Sequence, residues 1–187
     1  MRILSVNVGL PREISWRGES VLTSIFKQPL AGPVAVKTMN IDGDRQADLT
    51  VHGGVHKAVY VYPDEHYDFW RNELPLARLE PGAFGENLTA QNVLETDVGP
   101  GDTLAIGTAL FEVTLPRMPC FKLGIRFDRP DMVKRFWISG RCGFYLAVTR
   151  EGTIAPGDEI RLTRVQSRSQ TIADVFAARG ARSRTRP

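Results

Sequence analysis

The apolar runs of this chain are short, and this feature limits its fold more than any other. They are rich in β-branched and aromatic residues and are separated by Gly, Pro and Asp, which is typical of strands joined by turns. The predicted strands cover residues 3–8, 20–26, 34–39, 58–62, 103–106, 109–115, 143–149 and 159–165. Eight strands in this length indicate a mainly β fold with peripheral helices, built as a barrel or a sandwich. Pro-Gly-Asp at 100–102 and 156–158 predicts two tight turns at corners of the sheet.

Three helices are predicted between and after the strands. The first follows Pro63-Asp64 and has apolar residues at helical spacing. The second extends from Asp128, which can cap it, to Gly140. The third begins at Thr171 with a pattern close to a capping box and ends at Gly180. We therefore expect one β domain over residues 1–165, followed by a short C-terminal helix and Arg-rich tail over residues 166–187.

Charge is unevenly distributed along the 187 residues. The net charge is +3, but residues 161–187 hold seven Arg and one Asp, so residues 1–160 sum to −3. The body is thus not a surface for polyanions, and the basic tail is more typical of a solvated terminus than of a nucleic-acid site. No apolar stretch approaches the roughly 18 residues of a membrane span, and no secretory cleavage pattern follows the N-terminus. We expect a cytoplasmic protein that does not enter the membrane.

The densest polar segment lies between two strands, at residues 43–57. His52 and His56 are four residues apart, as in some zinc sites, but Gly53 and Gly54 between them disfavour the helix that such a site needs. The glycine pair instead favours close approach of backbone N–H groups to an anion, with Arg45 and Lys57 adding positive charge. A solvated loop is the alternative.

Two other polar groups stand between apolar residues in Phe84-Gly-Glu-Asn-Leu88. Asn87 offers a donor and an acceptor, and Glu86 can hold a cation or orient an Arg. The alternative is a turn in which the carboxylate only accepts hydrogen bonds from backbone N–H groups.

The strongest chemical signal is Cys120, in Pro116-Arg-Met-Pro-Cys-Phe-Lys122. The prolines stiffen the loop, and the cations of Arg117 and Lys122 favour the thiolate, which is the form that attacks or binds metal. Cys142 precedes an apolar strand, so core packing is its expected role. Two cysteines are too few for an iron–sulfur cluster, and a disulfide is not expected in a cytoplasmic protein. Arg141 can hold a phosphate bidentately or form a surface ion pair.

Five ordered motifs together resemble a known family. They are Gly-Asp-Arg-Gln-Ala-Asp with His-Gly-Gly (43–54), Tyr-Pro-x-x-His-Tyr (62–67), Phe-Gly-Glu-Asn-Leu (84–88), Pro-Arg-x-Pro-Cys-x-Lys-Leu (116–123) and Ser-Gly-Arg-x-Gly-Phe-Tyr (139–145). The chain resembles the MOSC domain, the molybdenum cofactor sulfurase C-terminal domain, in its YiiM-like branch. The resemblance implies a closed or distorted β-barrel that binds a molybdopterin-type molybdenum cofactor, with Cys120 as the protein's ligand to molybdenum. It implies a cofactor pocket that draws on Arg45, His52, Gly53, Lys57, Asn87, Arg117, Arg141 and, more distantly, Lys37.

The implied activity is reduction of N-hydroxylated compounds to amines, for example hydroxylaminopurine, hydroxylamines or amidoximes. His52 and Glu86 are the candidate proton donors. The chain has no G-x-G-x-x-G fingerprint, so electrons are expected from a separate reductase. The alternative is a carrier that passes on molybdenum cofactor, or persulfide sulfur on Cys120, without turnover. Two departures from the family are His56, where relatives commonly have Asp, and the short C-terminal region in place of a helical bundle.

Overall fold

The computed structural model describes residues 1–47, 53–74 and 78–184, with side chains described up to residue 180. All eight predicted strands are present, with ends shifted by up to three residues, and five short strands join them. The strands are β1 (Arg2–Val8), β2 (Arg12–Trp16), β3 (Glu19–Thr23), β4 (Gln28–Pro29), β5 (Val34–Lys37), β6 (Asn40–Ile41), β7 (Val59–Pro63), β8 (Leu88–Gln91), β9 (Thr103–Ile106), β10 (Ala109–Pro116), β11 (Phe144–Arg150), β12 (Gly152–Ile154) and β13 (Ile160–Thr163).

The main sheet has eight strands in the order β13-β9-β10-β11-β7-β8-β1-β4. Every residue of β7 is buried, as its nearly continuous apolar sequence favours, and β7 lies between β11 and β8. Its pairing with β8 is parallel, whereas the other pairs in this sheet are antiparallel. Strands β12, β5 and β6 form a second small sheet, and β2 and β3 form a hairpin.

The implied closed barrel is not formed among the described residues. Strands β13 and β4 are the two ends of the main sheet. A single antiparallel bridge between Arg2 and Glu159 brings β1 close to the start of β13. The same edge of β1 is paired near its other end with β4, at Asn7 and Val8, so no continuous ladder joins the two ends. The fold is therefore mainly β, with an open sheet.

Four helices lie outside the sheets: α1 (Glu65–Glu73), α2 (Lys122–Phe127), α3 (Met132–Ser139) and α4 (Ile172–Arg184). Helix α1 and the end of α3 at left-handed Gly140 confirm two predictions. The short helix α2 was not predicted. Asp128 does not cap α3; it ends α2 in the left-handed region, at φ 51°. The predicted end of α4 at Gly180 is wrong, because the helix continues to Arg184.

The hydrophobic core is formed where α1 and α3 pack on the main sheet. Tyr62 of β7 stacks on Phe84, with 4.6 Å between ring centroids, and its hydroxyl accepts a hydrogen bond from Trp70 Nε1 at 2.6 Å. Helix α4 joins the same core, where Phe176 stacks on Trp137 of α3 with 4.6 Å between centroids. In the described part of the chain, no helix has the length and apolar character needed to span a membrane.

Candidate functional site

A small cavity of about 100 Å³ lies where seven parts of the chain meet. These parts are the chain after β3, the residues around Asp44, the turn of 3-10 helix at Val55–Lys57, the middle strands β7 and β11, the turn before β8, and the loop between β10 and α2. Its described charged side chains are five cations and one acid, apart from the thiol: Lys27, Arg45, Lys57, Arg117, Lys122 and Asp44. The cavity is therefore positively charged, although residues 1–160 as a whole are acidic.

Cys120 lines this cavity and is half-buried. It follows strand β10, which ends at Pro116, and its carbonyl accepts a hydrogen bond from the N–H of Leu123 at 3.0 Å, in the turn that leads into α2. Cys142 is instead completely buried, and burial, followed by the nearby Glu95, raises the pKa of its thiol far above the ordinary value. Only Cys120 of the two thiols is placed to meet a ligand, and core packing of Cys142 is confirmed.

Arg117 is a buried cation beside Cys120. Its guanidinium carbon lies 5.2 Å from the ring centroids of both Tyr60 and Phe136, and its Nη1 has no hydrogen-bond partner among the described residues. Burial alone would lower the pKa of Arg117, but the acidic groups of Tyr60, Tyr145 and Cys120 outweigh it and hold the pKa above the ordinary value. Arg117 is thus a permanent positive charge with an unused donor, which is a suitable arrangement for binding an anion.

Lys27 and Asp44 form a buried ion pair on the wall of the cavity. The carboxylate of Asp44 also accepts hydrogen bonds from the Gly9 N–H at 2.8 Å and from Asn87 Nδ2 at 2.9 Å. Asn87 Oδ1 in turn accepts from the N–H of Tyr60 at 3.1 Å. Asn87 therefore lines the cavity as expected, but its amide serves mainly to fix Asp44 and the start of β7.

Three predicted cofactor-binding residues meet at the mouth of the cavity: Arg45, Gly53 and Lys57. Arg45 is exposed, and Lys57 is half-buried. Gly53 and Gly54 have φ values of 95° and 83°, so this segment does not form the helix that a zinc site built on His52 and His56 would need. No group of three or more His, Cys, Asp or Glu side chains suited to a metal ion occurs within residues 1–47, 53–74 and 78–180.

Three other predicted site residues do not line the cavity: Arg141, Lys37 and Glu86. His52 lies outside the described residues. Arg141 lies over Phe69, 3.8 Å from its ring centroid, at a second cavity of about 520 Å³ between α1 and α3. Lys37 lies on β5, with Nζ 4.0 Å from Glu151. Neither of these two cations lines the Cys120 cavity, although the resemblance had implied that both would.

Glu86 is completely buried beneath the cavity rather than on its surface. Its carboxylate accepts hydrogen bonds from the N–H groups of Gly82 at 2.8 Å and Phe84 at 3.0 Å, and from the hydroxyls of Tyr67 and Thr89. Burial raises the pKa of this carboxyl, and the hydrogen bonds oppose that rise. The geometry fits the turn-stabilising alternative, not the proposed proton donor.

Sequence reasoning missed Lys27, Asp44, Tyr60 and Tyr145 as members of the site. Tyr60 and Tyr145 are direct neighbours across the β7–β11 pair, with ring centroids 5.3 Å apart. Both strands were predicted, but their pairing was not. Asp44 stood within the polar segment already noted, whereas Lys27 followed a predicted strand with no further signal.

Comparisons with known proteins show the family and support the fold. The MOSC domain family model matches residues 48–161. YflK of Bacillus subtilis (strain 168), an uncharacterized protein, is 41% identical over 160 residues, covering 86% of this chain and 72% of YflK. A protein named Reductase from Gibberella moniliformis is 38% identical over 163 residues and covers 86% of this chain, which spans only 29% of that protein. The crystal structure of YiiM from Geobacillus stearothermophilus is 35% identical with a TM-score of 0.80, covering 97% of this chain and 84% of that chain.

Proposed function

Because the chain belongs to the MOSC domain family and is YiiM-like, we propose that it binds a molybdenum cofactor and reduces N-hydroxylated compounds to amines. The observation that carries the proposal is the cavity itself. It combines a half-buried thiol, Cys120, with a buried guanidinium, Arg117, whose Nη1 has no hydrogen-bond partner within the described residues. The name of the Gibberella relative, Reductase, supports the redox part of the proposal.

The described residues fit an anionic metal cofactor better than a free metal ion. A free ion needs several protein ligands, but Cys120 is the one soft donor on this cavity and no cluster of three metal-binding side chains surrounds it in the described ranges. A cofactor that brings its own ligands needs only one thiolate from the protein. The unused donor of Arg117 and the surplus of cations suit the negative charge of such a cofactor.

In this proposal, the thiol and the cations of the cavity have separate roles. Cys120 would bind the metal as a thiolate, and the fixed charge of Arg117 would keep that sulfur anionic. Arg45, Lys57 and the N–H groups near Gly53 would hold the anionic group of the cofactor at the mouth. When bound, the cofactor supplies the two-electron redox chemistry, and we propose that a separate reductase provides the electrons.

The small volume of the cavity bears on the substrate. The cofactor would itself fill most of a space of about 100 Å³, so a substrate would reach the metal from the rim. Phe121, which follows Cys120 in sequence, is 57% exposed and offers an apolar face to solvent. This favours hydroxylaminopurine, amidoximes and similar flat compounds as substrates.

Metal content tests the ligand assignment. The protein is expressed in a host that makes the cofactor, and molybdenum and pterin are measured per chain for the wild type and for Cys120→Ala. We expect the variant to lose most of its molybdenum, because the metal loses its protein ligand. Cys142→Ala is the matched control and should retain the metal, since that thiol is sealed in the core. Equal molybdenum in the wild type and Cys120→Ala would contradict the assignment.

Turnover separates the enzyme from the carrier. Fully loaded protein is given benzamidoxime or hydroxylaminopurine with an artificial electron donor, and amine formation is measured. Production of amine by the wild type supports the reductase. Loaded protein that forms no amine but transfers its cofactor to an apoenzyme would favour the carrier instead.

A further inference from the structure

We propose that Lys27 is the acid that protonates the departing oxygen of the N-hydroxylated substrate, and that Asp44 positions its ammonium group. The inference rests on the proposed function, because it names a residue for that reaction. No sequence motif pointed to Lys27. It is identified by its place in the structure, where it lines the same cavity as Cys120.

The geometry holds the Lys27 ammonium at one position. The side chain is 8% exposed, and Nζ pairs with Asp44 Oδ1. The Asp44 carboxylate is itself held in place by hydrogen bonds from the N–H of Gly9 and from Asn87 Nδ2, so it fixes the position of the ammonium group. Asp44 is the one hydrogen-bond acceptor that Nζ contacts in the described part of the chain, and an ammonium has three donors. Two donors thus remain for an oxygen atom of a ligand.

Its burial makes Lys27 a better acid than an ordinary lysine. Burial lowers its pKa, and the carboxylates of Asp44 and Glu86 oppose this without cancelling it. Four further cations line the same cavity: Arg45, Lys57, Arg117 and Lys122.

The other buried acids on this wall are less suitable. Burial raises the pKa of both Tyr60 and Tyr145, and that of Arg117 also lies above its ordinary value. These groups hold their protons more tightly than usual. Lys27 is the buried lining residue whose pKa moves toward neutrality, which is the direction that a general acid requires.

The reaction consumes two protons and two electrons. A hydroxylamine, R–NH–OH, gives the amine R–NH2 and one water. The N–O bond breaks, its oxygen takes a proton from Lys27 Nζ and leaves as water, and the nitrogen takes a proton from solvent. When bound, the cofactor would supply the electron pair, and the separate reductase that we propose would restore it. Solvent then returns a proton to the neutral amine of Lys27.

Direct titration tests the inference without turnover. The chain has five lysines, so protein labelled with 13C at lysine Cε gives five signals, and the one missing from Lys27→Arg belongs to Lys27. We expect that signal to titrate at lower pH than the other four. Titration together with the other four, or above them, would overturn the inference.

Kinetics with loaded enzyme provide the second test. Lys27→Arg preserves the charge and the pairing with Asp44 but holds its proton too tightly to donate it. We expect unchanged molybdenum content, a kcat lower by on the order of 100-fold, and loss of the alkaline limb of the pH profile. Lys134→Arg, an exposed change on α3, is the matched control and should behave as wild type. If Lys27→Arg does not fold, the double variant Lys27→Met with Asp44→Asn, which removes both charges together, is used in its place.

The outcomes separate the two proposals. A wild-type kcat and pH profile in Lys27→Arg would overturn the role of Lys27 and leave the reductase intact. Loss of molybdenum from Lys27→Arg would also overturn it, because Lys27 would then act in binding. Loaded wild type that forms no amine would instead refute the proposed function, and the role of Lys27 with it.

Discussion

Replacing Arg117 with Met should stabilise the protein without its cofactor and abolish cofactor retention. In the structure, the guanidinium is 6% exposed and Nη1 has no partner among the described residues. A buried charge of this kind is expected where function requires it although it does not stabilise the fold. The two effects of Arg117→Met therefore have opposite signs, and their combination is a sharper test than either alone.

The magnitude follows from the contacts of Arg117. A buried polar atom without a partner costs about 1–3 kcal/mol, and the desolvation of a buried charge costs several kcal/mol more. The ring contacts with Tyr60 and Phe136, both at 5.2 Å, offset about 0.5–2 kcal/mol each, and the attraction to Tyr145 and Cys120 offsets a further part of the desolvation. Met keeps much of the volume and contacts the same rings favourably. We expect the free energy of unfolding to rise by about 1 kcal/mol, which corresponds to roughly 2–4 °C in Tm for a chain of this size.

Urea unfolding of the cofactor-free protein at pH 7 measures the stability, and molybdenum per chain measures retention. Arg141→Met is the matched control, since Arg141 lies over Phe69 at 3.8 Å but away from the Cys120 cavity. It should lose up to about 1 kcal/mol of stability and keep the metal. A loss of more than about 2 kcal/mol in Arg117→Met would refute the reasoning, because the charge would then be satisfied inside the protein.

Two further changes test the framework around the site. The Glu95 carboxylate lies 2.8 Å from His66 Nε2. Burial raises the pKa of Glu95, but the hydrogen bond and charge of His66, together with the Gly143 N–H, outweigh this, so the folded pKa is below the unfolded value of 4.5. The carboxylate therefore stabilises the protein above about pH 4.5, and this stabilisation is lost as the pH falls through the lowered pKa. Glu95→Gln should lower the free energy of unfolding by about 3 kcal/mol at pH 7 and weaken its dependence on pH, measured by urea unfolding from pH 7 to 3. An unchanged pH dependence would contradict this. Gly143→Ala should prevent folding, because φ is 62° and the added Cβ would overlap the backbone oxygen of Val61, whereas Gly140→Ala, at φ 69° with open space, should cost only about 1–2 kcal/mol in thermal unfolding. Similar Tm values for the two glycine variants would refute this.

The regular elements were predictable because their signals are local. Strands β9 and β10 combine β-branched or aromatic residues with bounding turns, and Pro-Gly-Asp places reversals before β9 and β13. The short strands β4 and β6, of two residues each, have no periodicity to detect and form only because longer strands lie beside them. The open sheet likewise depends on which strand reaches the edge of β1, and this is a property of the whole chain.

The candidate site divides in the same way. Cys120 and Arg117 were visible because prolines and cations stand beside the thiol in sequence. Lys27 and Asp44 are 17 residues apart and meet only through the fold, so their pairing left no sequence signal. Arg141 was misplaced because a motif gives the residue type but not the direction in which the side chain projects from its loop.

The pairing of β1 has a consequence for the order in which the protein folds during synthesis. Arg2 pairs with Gln91 of β8 and bridges to Glu159, so β1 is synthesised well before these two partners. At usual translation speeds of about 5–20 residues per second, the second partner is made on the order of 10 seconds after the first strand. Until β8 is made, the edge of β1 that pairs with it is open in the nascent chain, and a ribosome-bound chaperone would be well placed to cover it.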